Sequence, residues 1–250
     1  MIPKIQLTNV QKEFVSQNDV LKVLENISLF VNAGEFVSVL GPSGCGKSTI
    51  FQILTGIDSQ YRGQVKIDNI PLEKWQNKMC YMQQKDLLMP WRTLLDNVIL
   101  PLEIQGIRKT DAVKQVRKLL TDFGLEGFES AYPNQLSGGM RQRAALLRTV
   151  LTDSEIMLLD EPFGALDAIS RSQMQQWFLK IWEKYKHSVL FVTHDIEEAV
   201  FMSDRVYVLS QRPAKVVKKV SIDFERPRQK EFLVLPEFLE YKKELLDALK

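Results

Sequence analysis

The chain has 250 residues, 45% hydrophobic and 26% charged, with 12 Gly and 10 Pro, a composition that excludes the disordered, collagenous and coiled-coil classes. Its 33 Lys plus Arg against 31 Asp plus Glu leave +2, too balanced for the footprint of a nucleic-acid binder or a polybasic membrane anchor, so any polyanion must be bound locally. The apolar runs 98–102 and 156–159 fall far short of the roughly 20 residues that cross a bilayer, residues 1–10 lack a secretory apolar stretch, and Cys45 and Cys80 have neither a CxxC partner nor a His cluster; a cytosolic, reducing location is expected.

In chain order, short β-rich runs are predicted at 5–10, 27–31, 36–40, 65–67 and 79–82. Between 93 and 151 no strand is predicted; Ala112, Val113, Val116, Leu119, Leu120 and Phe123 recur at helical spacing, so this stretch reads as a helical insertion. Strand patterns resume at 156–159, 189–193 and 206–210, and the runs apolar on consecutive positions fit strands covered on both faces of an α/β sheet. Past 210 the composition shifts, with seven basic and two acidic residues in 211–230, then five acidic and three basic in 231–250. There Phe238, Tyr241, Leu245 and Leu249 form an amphipathic stripe of the kind that packs on its own domain. The predicted organisation is a core at 1–92 and 153–210, a helical subdomain at 93–152 and a C-terminal extension at 211–250.

The segment Gly41-Pro42-Ser43-Gly44-Cys45-Gly46-Lys47-Ser48-Thr49 fits GxxxxGK[ST], follows the predicted strand 36–40 and opens an apolar helix at Ile50, Phe51, Ile53 and Leu54. Glycines let such a loop curl so that successive backbone N–H groups point at phosphate oxygens, and the helix N-terminus adds partial positive charge. Lys47 is then placed for the β and γ phosphates and Ser48 for Mg²⁺. Further on, four apolar residues end in Asp160 and Glu161 at a strand terminus. Beside a phosphate loop, Asp160 is expected to hold Mg²⁺ and Glu161 to polarise an attacking water.

A phosphate loop alone admits kinases, GTPases, helicases and motor ATPases. The discriminating stretch is Leu136-Ser137-Gly138-Gly139-Met140-Arg141-Gln142-Arg143, before an apolar helix at 144–151. Here the chain resembles the ATP-binding cassette (ABC) family, whose signature is LSGGQ followed by basic and glutamine residues. The resemblance runs from residue 5 to about 210 and implies a P-loop NTPase fold: a RecA-like core with an antiparallel β region at the N-terminus, the inserted helical subdomain and a C-terminal tail. It also implies that Gln84 is the Q-loop glutamine, with a role in catalysis and at the metal, that His194 is the switch histidine, and that Asp167 belongs to the D-loop. Phe14 stands where the family carries an aromatic that stacks on adenine. Two positions depart from the pattern: Met140 replaces the commoner signature glutamine, and Gln83 stands where an aromatic usually precedes the Q-loop glutamine. His194 on a strand end has a plainer reading too, as a cap for the following helix, and Ser137 to Gly139 also suit a loop and N-cap.

Leu87-Leu88-Met89-Pro90-Trp91-Arg92-Thr93, 161–168 and the Gln211-Arg212-Pro213 element look like the nitrate, sulfonate and taurine importer branch. That resemblance implies an ATPase using ATP and Mg²⁺, two copies closing head to tail with Ser137, Gly138, Gly139 and Met140 completing the partner's ATP site. It further implies an integral-membrane permease partner, an extracytoplasmic solute-binding protein acting indirectly, a peripheral place on the inner membrane face, and no nucleic acid. Leu87, Leu88, Met89 and Trp91 are the expected docking residues, against the simpler reading that they pack the junction. A soluble cassette acting on nucleic acid or ribosomes, and a regulatory cassette without turnover, are the alternatives. The balanced charge opposes the first, and Glu161 with His194 opposes the second.

Overall fold

Residues 36–40 form β3 (Phe36–Leu40) with every side chain buried, Ser38 included, whose hydroxyl is bonded to that of Ser203. The computed structural model describes residues 2–16, 19–76, 79–152 and 154–250 and divides into two units, one of residues 1–79, 155–158 and 178–250, the other of 80–154 and 159–177. Among the described residues no helix is long and apolar enough to cross a membrane.

In the first unit β1 (Ile5–Val15) pairs antiparallel with β2 (Val20–Val31) and β4 (Arg62–Ile67), and β5 (Ile70–Pro71) completes the order β2-β1-β4-β5. The β1 and β2 strands run past the predicted 5–10 and 27–31. Register shifts after Leu7 and Val10, with Asn9 and Asn26 at positive φ, break the alternation that a sequence pattern relies on. In a second sheet β3 lies parallel to both β8 (Ser188–Thr193) and β9 (Arg205–Leu209), while β10 (Val216–Ser221) returns antiparallel to β9. The opening residues of β7 (Ile156–Asp160) follow β8 in the strand order. The ring of Phe36 meets Phe178, Trp182 and Phe191 at 6.2, 5.5 and 5.7 Å between centroids, so aromatic packing anchors the base of β3.

Helix α1 (Lys47–Leu54) follows β3, and α7 (Ile196–Met202) follows β8. The predicted tail stripe becomes α8 (Pro236–Ala248), which packs on α7 with Phe238 and Leu245 buried and Lys242 paired to Glu197. Tyr241 is half-buried, and its hydroxyl accepts from the Asp223 N–H.

The second unit holds β6 (Cys80–Met82), next to the end of β7 in the strand order, and the helices α2 (Leu94–Val98), α3 (Leu100–Ile104), α4 (Lys109–Asp122) and α5 (Gly138–Val150). The helical period predicted around 112–123 is α4, with Ala112, Val116 and Leu120 inward. Helix α5 packs against α2, α3 and β6, and it starts at Gly138, earlier than the apolar run at 144–151 suggests. Its first turns are polar because their side chains are engaged: Gln142, buried, donates to Pro162 O at 2.7 Å. Helix α6 (Ala168–Tyr185) begins in this unit and ends in the first.

Candidate nucleotide site

In the first unit β3 delivers the chain to Gly41, and α1 begins at Lys47. Gly46, the residue before α1, has φ 124°, and a Cβ there would stand 2.8 Å from Val23 Cγ1 and 2.9 Å from Leu24 Cδ2, so glycine is required twice over. The helix has no side-chain cap and no acid in its first turn, which leaves its leading N–H groups and positive end for an anion. Lys47, buried, donates through Nζ to Gly41 O at 2.8 Å and Pro42 O at 3.0 Å, bending its ammonium back over the loop. Ser43, Gly44 and Ser48 are exposed, Thr49 half-buried, and Cys45 buried; burial pushes the Cys45 thiol up, against the nearby charge of Lys47, so it packs as a neutral side chain.

Phe14 sits near the end of β1 opposite Leu21, 42% exposed. The ammonium of Lys12 lies 4.6 Å from its ring centroid and is fixed by Asp58 Oδ1 and Gln60 O, both at 2.7 Å, so the ring is supported by a buried cation. His194 is exposed at the end of β8. The cap of α7 is not His194 but Asp195, whose Oδ1 accepts from the N–H groups of Glu197 and Glu198. The Thr193 hydroxyl donates to the buried Glu198 at 2.7 Å and accepts from the Asp195 N–H, fixing the bend that presents the imidazole.

In the second unit β7 ends on Asp160, buried, and Glu161 follows at φ 47°, a left-handed conformation for a bulky side chain of the kind that strained functional positions hold. Tyr81 is bonded to Asp160. Burial, then that carboxylate's charge, raises the phenol to about 12, so the O–H stays protonated and donates a hydrogen bond to Asp160. Gln84 Nε2 donates to Glu161 Oε2 at 3.3 Å; Gln83 is likewise exposed, but it is Gln84 that meets the carboxylate. Asp167 N-caps α6, accepting from the N–H groups of Ile169 and Ser170 at 3.0 Å, and a hydrogen bond from the Ser170 side chain, then these backbone bonds, hold its carboxyl below the usual range.

Ser137 N-caps α5, its Oγ accepting from the Met140 N–H at 3.2 Å, as the plainer reading expected. Ser137 and Gly138 are exposed, Gly139 and Met140 half-buried. In the strip after Gln84, Leu88 is buried and anchors the segment, Met89 is half-buried, while Leu87 and Trp91 stand 50% and 73% exposed, so the packed-junction reading does not hold for those two. Leu87 also lies at φ 47°.

Three supports escaped the sequence reading. Asn97, fully buried, accepts from the Met89 N–H at 2.7 Å and donates to the carbonyls of Met89, Arg92 and Thr93, holding the strip's backbone; an uncharged polar residue next to Asp96 inside the otherwise apolar run 94–100 was its signal. Arg148 of α5 donates to the carbonyls of Asp86 and Leu87 at 2.7 and 2.9 Å. Arg141, also on α5, donates to Asp86 Oδ2 at 3.1 Å, so the helix that starts at the signature grips the strip that follows Gln84.

Among the described residues no group of three or more His, Cys, Asp or Glu could hold a metal alone. The buried Asp160 carboxylate and the Gln84 amide in the second unit, and the Ser48 hydroxyl in the first, are each hard oxygen donors, the ligand type that Mg²⁺ takes.

A parallel-stranded core, an uncapped helix behind a glycine loop, and an acidic pair at a strand end define a P-loop ATPase. Residues 24–164 match the ABC transporter family profile. An ABC transporter ATP-binding protein of Methanocaldococcus jannaschii is 47% identical over 99% of this chain and 91% of its own length. The aliphatic sulfonates import ATP-binding protein SsuB of Bacillus cereus is 41% identical over 90% of this chain and 89% of its own. The nitrate import ATP-binding protein NrtD of Synechocystis is 34% identical over 98% and 95%. A bacterial ABC transporter cassette solved as a dimer superposes with TM-score 0.79 at 33% identity, covering 88% of this chain and 100% of that one; a post-hydrolysis cassette bound to ADP and phosphate gives 0.79 at 31%. The chain belongs to the ABC transporter family, as an ATP-binding, ATP-hydrolysing cassette that works with Mg²⁺ and resembles the import branch.

Proposed function

We propose that this cassette powers import of a small solute, of the sulfonate or nitrate kind, through a separate integral-membrane permease, with an extracytoplasmic binding protein supplying the solute. The import names of its relatives support this reading. The cassette would sit peripherally on the inner membrane face and take no nucleic acid, in keeping with its +2 charge. Residues 41–49 bind the phosphates of ATP, with Lys47 on the β and γ groups and Phe14 stacking on adenine. Ser48, Asp160 and Gln84 would hold Mg²⁺, which would supply neutralisation of phosphate charge there. Glu161 takes a proton from water as the water oxygen attacks the γ-phosphorus and the bond to the β–γ bridging oxygen breaks. His194 hydrogen-bonds the γ-phosphate, and Gln84 senses it beside Glu161. Two copies close head to tail, Ser137 to Met140 and Asp167 of one chain, within its 93–152 subdomain and the D-loop, completing the ATP site of the other. ATP shifts the open-to-closed equilibrium because these contacts exist only in the closed pair.

The observation that carries the permease assignment is Trp91, 73% exposed beside Pro90 and Leu87 on a strip that α5 grips. An exposed Trp on a held backbone has the composition of an interface anchor. Trp91→Ala should leave melting temperature and basal phosphate release near wild type while weakening pull-down of the permease by about 2 kcal/mol or more. A large drop in melting temperature with permease binding intact would return Trp91 to a packing role.

A further inference from the structure

The turn joining β9 to β10 holds the Gln211-Arg212-Pro213 element, which has no role in the site described above, yet it is fastened around the phosphate loop. The Ala214 N–H donates to Val23 O, and the Glu25 N–H donates to Ala214 O, both at 2.8 Å, so the turn is stitched to β2. Val23 and Leu24 of that strand are the side chains that close off Gly46, and Leu209, at the end of β9, would stand 3.2 Å from a Cβ at Gly41. From this base the guanidinium of Arg212 donates through Nη2 to the carbonyl of Gly44, at the crown of the loop. Among the described residues no carboxylate pairs with Arg212, whereas its neighbour Lys215 is spent on Glu25 at 3.1 Å.

The geometry of one peptide unit gives this contact a consequence. A trans peptide is planar, with its C=O and N–H pointing opposite ways, so a carbonyl held on the outside of the loop turns the N–H of Cys45 inward. That N–H reaches Pro42 O at a long 3.3 Å, the same carbonyl that the Lys47 ammonium contacts at 3.0 Å, so both donors face one hollow. An inward N–H with a weak partner is what a phosphate oxygen displaces at little cost. The charge of Arg212 is felt inside the loop as well, since it opposes the rise that burial imposes on the Cys45 thiol.

We propose that Arg212 is a positioning residue of the phosphate loop: it holds the Gly44 carbonyl outward, presents the Cys45 N–H to the nucleotide's phosphates, and backs the loop with an unneutralised positive charge. This rests on the assignment of residues 41–49 as the phosphate site. Because Arg212 is exposed, solvent screening keeps its effect modest and dependent on salt.

Titration of the purified full chain with MgADP and MgATP, for wild type, Arg212→Ala, Arg212→Lys and Lys47→Ala, tests it. Arg212→Ala should weaken both nucleotides by about 5-fold at low salt, the scale of one charge-assisted hydrogen bond at a screened site. The difference should shrink as salt rises to about 0.5 M. In steady-state turnover KM should rise by a similar factor with kcat unchanged, the signature of a contact made equally in ground and transition states. Arg212→Lys should recover part of the loss, and the melting temperature of the nucleotide-free chain should match wild type in both variants. Arg212→Ala binding MgADP as wild type does, while Lys47→Ala loses it, would overturn the role of Arg212 and leave the phosphate loop standing. Wild-type binding by Lys47→Ala would instead remove the loop assignment itself. A fall in affinity that tracks a fall in melting temperature, without rescue by Lys, would reduce Arg212 to a brace of the turn and also overturn the proposal.

Discussion

Two helices of this chain open beside glycines, and they open differently. Helix α1 has no side-chain cap, a glycine at φ 124° before it, and a lysine as its first residue. Helix α5 is capped by its own Ser137, which takes the Met140 N–H, and it follows an extended approach in which nothing is strained. An uncapped end with a cation at its head is built to hold an anion unaided. A self-capped end with bare glycines in its first turn is already satisfied and offers its remaining amides to an anion brought by something else. The difference matches the division of labour proposed for the two motifs, one carrying the nucleotide and the other closing on it.

Glu161→Gln supplies the background on which this contrast is sharpest. It should slow turnover by about 10²–10⁴-fold, the range for a general base, while MgATP binding persists; phosphate release at the parental rate would take Glu161 out of the reaction. Lys47→Ala should reduce turnover by about 10²–10³-fold and lose nucleotide affinity with it, because the removed charge acts on the bound phosphates before as well as during reaction. Tight MgATP binding by that variant would erase the distinction between the two helix ends.

Stability measurements separate the same two ends without nucleotide. Gly46→Ala should cost about 2–6 kcal/mol, combining about 1–3 for its backbone conformation with about 1–3 for collision with Val23 and Leu24. Gly138→Ala, whose Cβ would meet nothing nearer than Arg141 Nη2 at 3.9 Å, should change unfolding free energy by less than about 1 kcal/mol. Equal losses at the two glycines in urea unfolding would mean that both loops are equally constrained. At the same end, Ser137→Ala should cost about 1 kcal/mol, the worth of a lost N-cap. No loss there would show that the cap seen at α5 contributes nothing to its formation.

Much of the chemistry was legible because its motifs are local. The run 41–49 names its own loop, and Asp160 and Glu161 stand out against the four apolar residues before them. What stayed hidden depends on contacts between distant residues or on exposed structure. Strand β10, Val-Val-Lys-Lys-Val-Ser, buries only Val220, and an edge strand studded with lysine carries no apolar run to recognise. The strand pair β1 and β2 lost its outer halves to bulges that shift the side-chain alternation. Asp195 could not be preferred to His194 as the cap of α7 without knowing where the helix begins. Nor could any pattern announce that Arg148 would travel from α5 to carbonyls 61 and 62 residues earlier.

The grip of Arg148 has a corollary for how such a subunit can diversify. It is taken on the main-chain oxygens of Asp86 and Leu87, and Asn97 likewise holds the backbone of Met89, Arg92 and Thr93. Main-chain oxygens are the same whatever side chain they carry. The side chains of Leu87 and Trp91 can therefore be exchanged for others while the bonds that hold the strip's backbone survive each exchange. A lineage can change the outer face of the strip without rebuilding how it is held.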